Sequence, residues 1–369
     1  MWLSALGSVL KERWVPLALI IGLPLSGVAA SGMDIRPYLA FPPKTVRVSH
    51  APFSFIAFFL ITGIVLVTVV PMVRTALSHN SAEKDKTKRY PMPWWGKLSF
   101  PGLALFWCLA WTRMEWMAQL QPHTFFPLWL SLILSINALT VRRSGTCPLT
   151  AAPGRFLLLF PVSAAFWWLF EYLNRFVANW FYTGSQYPAL TYFLLATLSF
   201  STVLPGVESM KAFLTTFERI NKGFRTMPPL PQLSGRTAGS LLMAAGGISL
   251  ALIGIFPDQL FFTLWLAPFF LLLGHALYKG LSHPFTPVFS GDYTRVAAYA
   301  LAALCCGFFW ELFNMYSLAR WEYSVPYVQV FHIFEMPVLG YAGYLPFGLE
   351  CALIIHMVYN TTLINPNNT

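Results

Sequence analysis

The chain has 369 residues, 56% of them hydrophobic and only 10% charged, where soluble domains carry about a quarter charged residues. Apolar runs of spanning length recur along its whole course, which excludes a soluble globular enzyme and implies a polytopic membrane protein. The net charge of +10 reads as loop charge that sets orientation in the membrane, not as a nucleic-acid surface.

Lipid offers no partner for open backbone, so spans must be helices or a closed barrel, and continuous rather than alternating apolar runs select helices. The first run follows WLSALGSVLKERW, which lacks a convincing small-residue cleavage site and reads as a retained helix. In chain order about ten spans are expected, over 15–31, 53–73, 98–118, 124–141, 156–178, 187–214, 238–256, 260–278, 295–317 and 326–358. If alternate loops face the cytoplasm, starting with the N-terminus, 18 of the 24 Lys and Arg fall on that side. The positive-inside rule then puts both termini in the cytoplasm of what reads as a bacterial inner-membrane protein. KDKTKR, 84–89, and ERINKGFR, 218–225, are the strongest inward loops. They anchor topology or meet anionic lipid head groups.

Pro-rich stretches divide the chain. The expected organisation is two N-terminal helices and a basic loop over 1–97, a four-helix block over 98–226, a linker over 227–237, and a second four-helix block over 238–369. The two blocks resemble each other. FFPLWL, 125–130, recurs as FFTLWL, 261–266. Arg155 precedes Glu171 by 16 residues and Asn174 by 19, and Arg295 stands in the same relation to Glu311 and Asn314. Trp180-x-Tyr182 answers Trp321-x-Tyr323, and Glu208 roughly answers Glu350. An even number of spans per block gives both copies one orientation, so the fold expected is all-α with two parallel repeats about an axis along the membrane normal.

Glu171 and Asn174 share a helix face, as do Glu311 and Asn314. An ionised carboxylate is costly in lipid, so both faces should turn inward, either as an interhelical bond or as a functional site. FWWLF, 166–170, and FFW, 308–310, lie beside these glutamates and either pack or wall a pocket for a cation or a flat apolar ligand. Trp180, Tyr182, Trp321 and Tyr323 read as interfacial anchors, and Arg155 and Arg295 as residues snorkelling to the interface or touching a head group.

The last run is the least ordinary. Residues 326–358 would make a straight helix of about 50 Å, against a hydrocarbon core of about 30 Å. FEMPVLGYAGYLPFGLE, 334–350, supplies break points at Pro337, Gly340, Gly343 and Pro346, so a broken or re-entrant span is expected, with Glu335 and Glu350 flanking the break. His332 would lie one helical turn before Glu335 and could relay protons with it. Pro346 would leave carbonyls free inside the helix.

No cofactor or metal is expected. Four of the five cysteines, Cys108, Cys305, Cys306 and Cys351, fall in apolar runs, and zinc spacing and CxxC are absent. His123, His275, His332 and His356 do not offer the matched pair that bis-histidine haem needs. GYAGYLPFG lacks the lysine of a phosphate loop, and GxSxG and HExxH are missing. Three functions are weighed. The leading expectation is a proton-coupled secondary transporter of a small or amphiphilic solute, and the other two are its alternatives. Another is an intramembrane enzyme using glutamate acid–base chemistry on a lipid or isoprenoid. The third is a non-catalytic assembly subunit. Candidate site residues are Glu171, Asn174, Glu311, Asn314, His332, Glu335, Glu350 and Glu208. The expected partners are membrane lipids and the solute.

Overall fold

A computed structural model describes residues 2–78, 89–184, 186–231 and 235–361. Most of the basic run 84–89 and residues 232–234 of the Pro-rich linker lie outside them. In chain order the helices are α1 (Trp2–Ala30), α2 (Arg36–Leu39), α3 (Phe55–Ser78), α4 (Trp94–Trp111) and α5 (Phe125–Ser144). Then come α6 (Pro148–Ala151), α7 (Pro153–Val177), the strand β1 (Trp180–Thr183), α8 (Ala189–Phe200), α9 (Val203–Leu214) and α10 (Glu218–Lys222). The second half holds α11 (Gly235–Leu252), α12 (Pro257–Leu260), α13 (Thr263–Lys279) and α14 (Thr294–Asn314). It closes with three short strands, β2 (Arg320–Tyr323), β3 (His332–Ile333) and β4 (Met336–Pro337), and with α15 (Tyr344–Thr361).

Seven helical segments among the described residues are long and apolar enough to cross a membrane: Arg13–Ala30, Phe55–Ser78, Phe125–Ser144, Pro153–Val177, Ala189–Leu214, Thr294–Asn314 and Val338–Asn360. This is a multi-spanning, mainly helical membrane protein. α4, α11 and α13 occupy three further stretches expected to span, but are not among the seven.

Helices in lipid associate through close packing and interhelical hydrogen bonds, not through expulsion of water. Both are present. α11 lies against α13 at a glycine crossing, where a Cβ on Gly239 or Gly274 would meet the other's carbonyl oxygen. Asn137 of α5 donates to Ser209 Oγ of α9 at 2.7 Å, and Ser163 of α7 donates to the Phe200 carbonyl of α8 at 2.6 Å. Trp129, Phe170, Phe313 and Phe347 are fully buried between these helices.

α3 is the exception. It is apolar throughout, none of its residues is buried, and its main contact is the 3₁₀ turn over Val338–Gly343. A strap, residues 31–54, ties its start to the bundle. Arg175 donates to the carbonyls of Tyr38, Ala40 and Pro42, and Asp258 accepts from the Ala51 N–H at 2.8 Å and contacts His50 Nδ1 at 2.6 Å.

The last run corrects an expectation. Its break is not a gap between two half-helices. Residues 332–337 form the β3–β4 hairpin, 338–343 a 3₁₀ turn, and only from Tyr344 does α-helix begin. His332 sits in β3, exposed, and Glu335 in the hairpin turn, so they do not share a helical face. Pro346 is the third residue of α15, where a missing N–H costs no intrahelical bond. The physical reason is the density of conformational breakers: Pro337, Gly340 and Gly343 within seven residues stop helix propagation.

Candidate functional site: two buried carboxyls behind an aromatic cavity

α7 ends at Ala178, whose backbone is left-handed (φ 49°) and whose N–H bonds back to the Asn174 carbonyl. The chain reverses there into β1. Asn174 holds the reversal. Its Oδ1 accepts from the Asn179 N–H at 2.8 Å, and its Nδ2 donates to the Trp180 carbonyl at 2.7 Å and to Thr45 Oγ1 at 3.0 Å. One turn earlier, Glu171 holds the side chains of the same strand. Its Oε1 accepts from Trp180 Nε1 at 3.0 Å, Tyr182 OH at 2.7 Å and Trp167 Nε1 at 3.0 Å.

The end of α14 is built alike. Asn314 pairs with both backbone groups of Trp321, accepting its N–H at 2.9 Å and donating to its carbonyl at 2.8 Å. Glu311 Oε1 accepts from Tyr323 OH at 2.6 Å and from Tyr344 OH, across from α15, at 2.7 Å. Trp321 Nε1 donates to the Tyr323 hydroxyl at 2.8 Å. Both carboxyls are fully buried, and each leaves Oε2 without a hydrogen-bond partner.

The two strands that carry these donors pair with each other. β1 and β2 run antiparallel with Trp180 opposite Tyr323, Phe181 opposite Glu322 and Tyr182 opposite Trp321. Burial, and then the adjoining glutamate, hold the Tyr182 and Tyr323 phenols well above the ordinary tyrosine range, so both stay proton donors.

In front of this wall lies a cavity of about 570 Å³. Trp167, Trp180, Tyr182, Trp321, Tyr323 and Tyr344, the donors around the two carboxyls, all line it. Trp265 stacks on Trp180 with centroids 5.5 Å apart and extends the lining, as does Trp310. Its other walls are Ile61, Ile64 and Val65 of the loosely held α3, Leu195 and Leu198 of α8, and Gly340 and Gly343 of the 3₁₀ turn. An aromatic surface with a carboxyl behind each hydroxyl can bind an apolar molecule and pass a proton between phenol and carboxyl.

The other candidates are placed elsewhere. Glu208 is buried but fully engaged, accepting from Lys211 Nζ at 2.8 Å and Tyr299 OH at 2.7 Å. Glu350 is buried on α15 with neither oxygen hydrogen-bonded. Glu335 and His332 stay in the hairpin, and Gln329 Nε2 lies 3.1 Å from His332 Nε2. Arg155 and Arg295 begin α7 and α14, about 24 Å of helix away from the carboxyls. Among the described residues no group of three or more His, Cys, Asp or Glu could hold a metal ion.

Trp180, Tyr182, Trp321 and Tyr323, expected as interfacial anchors, instead line the cavity. The signal that could have found them is the Trp-x-Tyr that follows Glu-x-x-Asn in both halves of the chain, Trp180 standing 9 residues after Glu171 and Trp321 standing 10 after Glu311. Scans against protein-family models, curated proteins and solved structures return no match.

Proposed function

We propose that the protein is an intramembrane enzyme that takes a lipid-like or isoprenoid molecule into the aromatic cavity and performs acid–base chemistry on it with Glu171 and Glu311 acting through their tyrosines. One observation carries this reading: every aromatic donor bound to the two carboxyls also lines the cavity. The exposed α3 wall supports entry from the lipid side. In this reading Tyr182 or Tyr323 exchanges a proton with the ligand while the glutamate behind it makes up the difference.

The test is purification of the full chain in mild detergent, organic extraction and mass spectrometry. An apolar or amphiphilic compound should be retained, and Trp265→Ala should lose it. In cells carrying Glu171→Gln or Glu311→Gln the same compound should accumulate in the membrane extract, because glutamine keeps the shape but not the proton chemistry. No retained compound in the wild type, or Gln variants with unchanged membrane extracts, would sink the reading.

A second reading, proton-coupled transport of an amphiphilic solute, draws support from the strand register. Trp180 opposite Tyr323 and Tyr182 opposite Trp321 is what a two-fold axis between equivalent halves produces, and parallel repeats of this kind occur in transporters. This reading includes the layout of about ten spans with both termini cytoplasmic. Proteoliposomes holding a pH-sensitive dye separate the two: solute-driven proton uptake supports transport, and conversion without net uptake supports the enzyme. If Glu→Gln variants neither block conversion nor uptake, the carboxyls serve as packing groups in an assembly subunit.

A further inference from the structure

A second cavity of about 540 Å³ adjoins the first, and the two share Tyr323 and Val325 in their linings. Its character is different. Arg47, Ser49, His50, Ser324 and Gln329 contribute to it, where the first is bounded mainly by rings and aliphatic groups. We propose that the ligand is an amphiphile with an anionic head: its chain fills the aromatic cavity, its head sits in this second cavity, and Tyr323 stands at the junction. This rests on the reading above and adds the ligand's polarity and orientation.

The polar groups of the second cavity fall into two sets. His50 is bound to Asp258 at 2.6 Å, Gln329 accepts from the Val325 N–H at 2.9 Å and donates to the Tyr323 carbonyl at 3.2 Å, and Ser324 donates to the Val48 carbonyl at 3.2 Å. These shape the walls. Arg47 is exposed, its guanidinium carbon 6.0 Å from the centre of the Phe181 ring, and it makes no salt bridge among the described residues. Lys44, three residues earlier on the strap, stands 5.1 Å over Tyr192, which lines the aromatic cavity. The nearby acids are already used: Asp258 by His50 and the Ala51 N–H, Glu322 by Arg320 at 3.1 Å. The balance of charge left for a ligand is positive, and a guanidinium suits a carboxylate or phosphate. An uncharged chain alone would use one cavity and leave Arg47 idle.

The experiment uses the full chain in phosphatidylcholine nanodiscs and the intrinsic fluorescence of the cavity tryptophans. Three brominated probes of equal chain length are titrated: an alkanol, an alkanoate and an alkyl phosphate. All three should quench, with one or both anions binding about 10-fold tighter than the alkanol, equivalent to about 1.4 kcal/mol. Arg47→Gln should bring the anions to within about 2-fold of the alkanol and leave the alkanol unchanged. Lys97→Gln, an exposed lysine on α4, should change none of them. Whichever anion gains most identifies the head as carboxylate or phosphate. Equal affinity of all three probes, or equal weakening of all three by Arg47→Gln, overturns the head-group assignment and leaves the apolar cavity standing. Failure of every probe to quench overturns the cavity reading itself.

Discussion

The two carboxyl centres sit near the ends of α7 and α14 in the same Glu-x-x-Asn, yet they are wired differently. Glu171 takes all three of its donors from one stretch of chain, residues 167–182. Glu311 takes two, and one of them, Tyr344, comes from beyond the hairpin and the 3₁₀ turn. The difference starts at a single position. Four residues before the glutamate stands Trp167 in the first centre and Gly307 in the second. A Cβ at Gly307 would collide with the Tyr344 ring, so the missing side chain is the space that the phenol occupies. The first centre is self-contained. The second is assembled only when the segment before α15 is in place, and the same segment, through Leu339, Gly340 and Gly343, forms one wall of the cavity. The second centre is therefore the one coupled to the shape of the ligand site.

Removing the acceptors gives the largest effect and ranks the centres. Glu171→Ala leaves three inward donors without a partner and should lower stability by about 3 kcal/mol; Glu311→Ala leaves two and should cost about 2 kcal/mol. Both figures are at the low end because each variant also removes a buried carboxyl with its own desolvation cost. Thermal melting of the purified variants in one detergent measures the order. A larger loss for Glu311→Ala would break the claim that the first centre is the better satisfied.

Gly307→Ala tests what distinguishes the centres. The added methyl has no room beside Tyr344, and overpacking of this kind costs about 1–3 kcal/mol. Trp167→Phe, its counterpart, keeps an aromatic ring but loses the indole N–H and part of the packing volume, for about 1–2 kcal/mol. Gly307→Ala should also weaken ligand quenching of the tryptophans, since it displaces the turn that lines the cavity. A harmless Gly307→Ala with unchanged quenching would mean that Tyr344 reaches Glu311 with slack to spare.

The helices themselves were plain in the sequence because lipid imposes one requirement: a long apolar run with its backbone bonded internally. Glu171 and Glu311 were legible for the same reason, since an acid inside such a run must turn inward. What could not be read was the strand pair. Trp180-x-Tyr182 and Trp321-x-Tyr323 look like interfacial anchors when each is judged by its place at a helix end. Only tertiary pairing of two segments some 140 residues apart turns them onto the carboxyls. The break at 334–343 was visible as a cluster of Pro and Gly, but their number alone does not say whether the backbone becomes half-helices or a hairpin. That was decided by β3 pairing with β4 and by Tyr344 docking on Glu311. The Tyr344 hydroxyl carries no local signal, because its partner Glu311 lies 33 residues earlier in the chain.

A similar asymmetry separates Glu208 from Glu350. Glu208 has Lys211 one turn on and Tyr299 across from it; the residue three after Glu350 is Leu353, and both oxygens of Glu350 are orphaned. Glu350→Met should therefore be neutral or stabilising by about 1 kcal/mol, whereas Glu208→Met strands a buried tyrosine and a lysine and should cost about 1–2 kcal/mol. Paired melting curves decide it. Clear destabilisation by Glu350→Met would show that this carboxyl has a partner in the folded protein, and would revive it as a site residue.

The smallest effect probes whether both centres are dry. Burial raises the phenol of Tyr182 and that of Tyr323 above the ordinary value, which is about 10 in an unfolded chain. A raised folded value means the native state holds the proton after the unfolded state has released it. The stability this contributes is complete below about pH 10 and is lost as pH rises from there towards the folded value. Native protein should therefore show fewer ionised tyrosines in its near-ultraviolet absorbance than its total of exposed phenols plus these two. Tyr182→Phe and Tyr323→Phe should leave that native titration unchanged, and remove signal only from the step that accompanies alkaline unfolding. If Tyr323→Phe removes signal from the ordinary titration while Tyr182→Phe does not, water reaches the second centre alone. That outcome would fit its place beside the polar cavity, and would make Glu311 the carboxyl that exchanges protons with solvent.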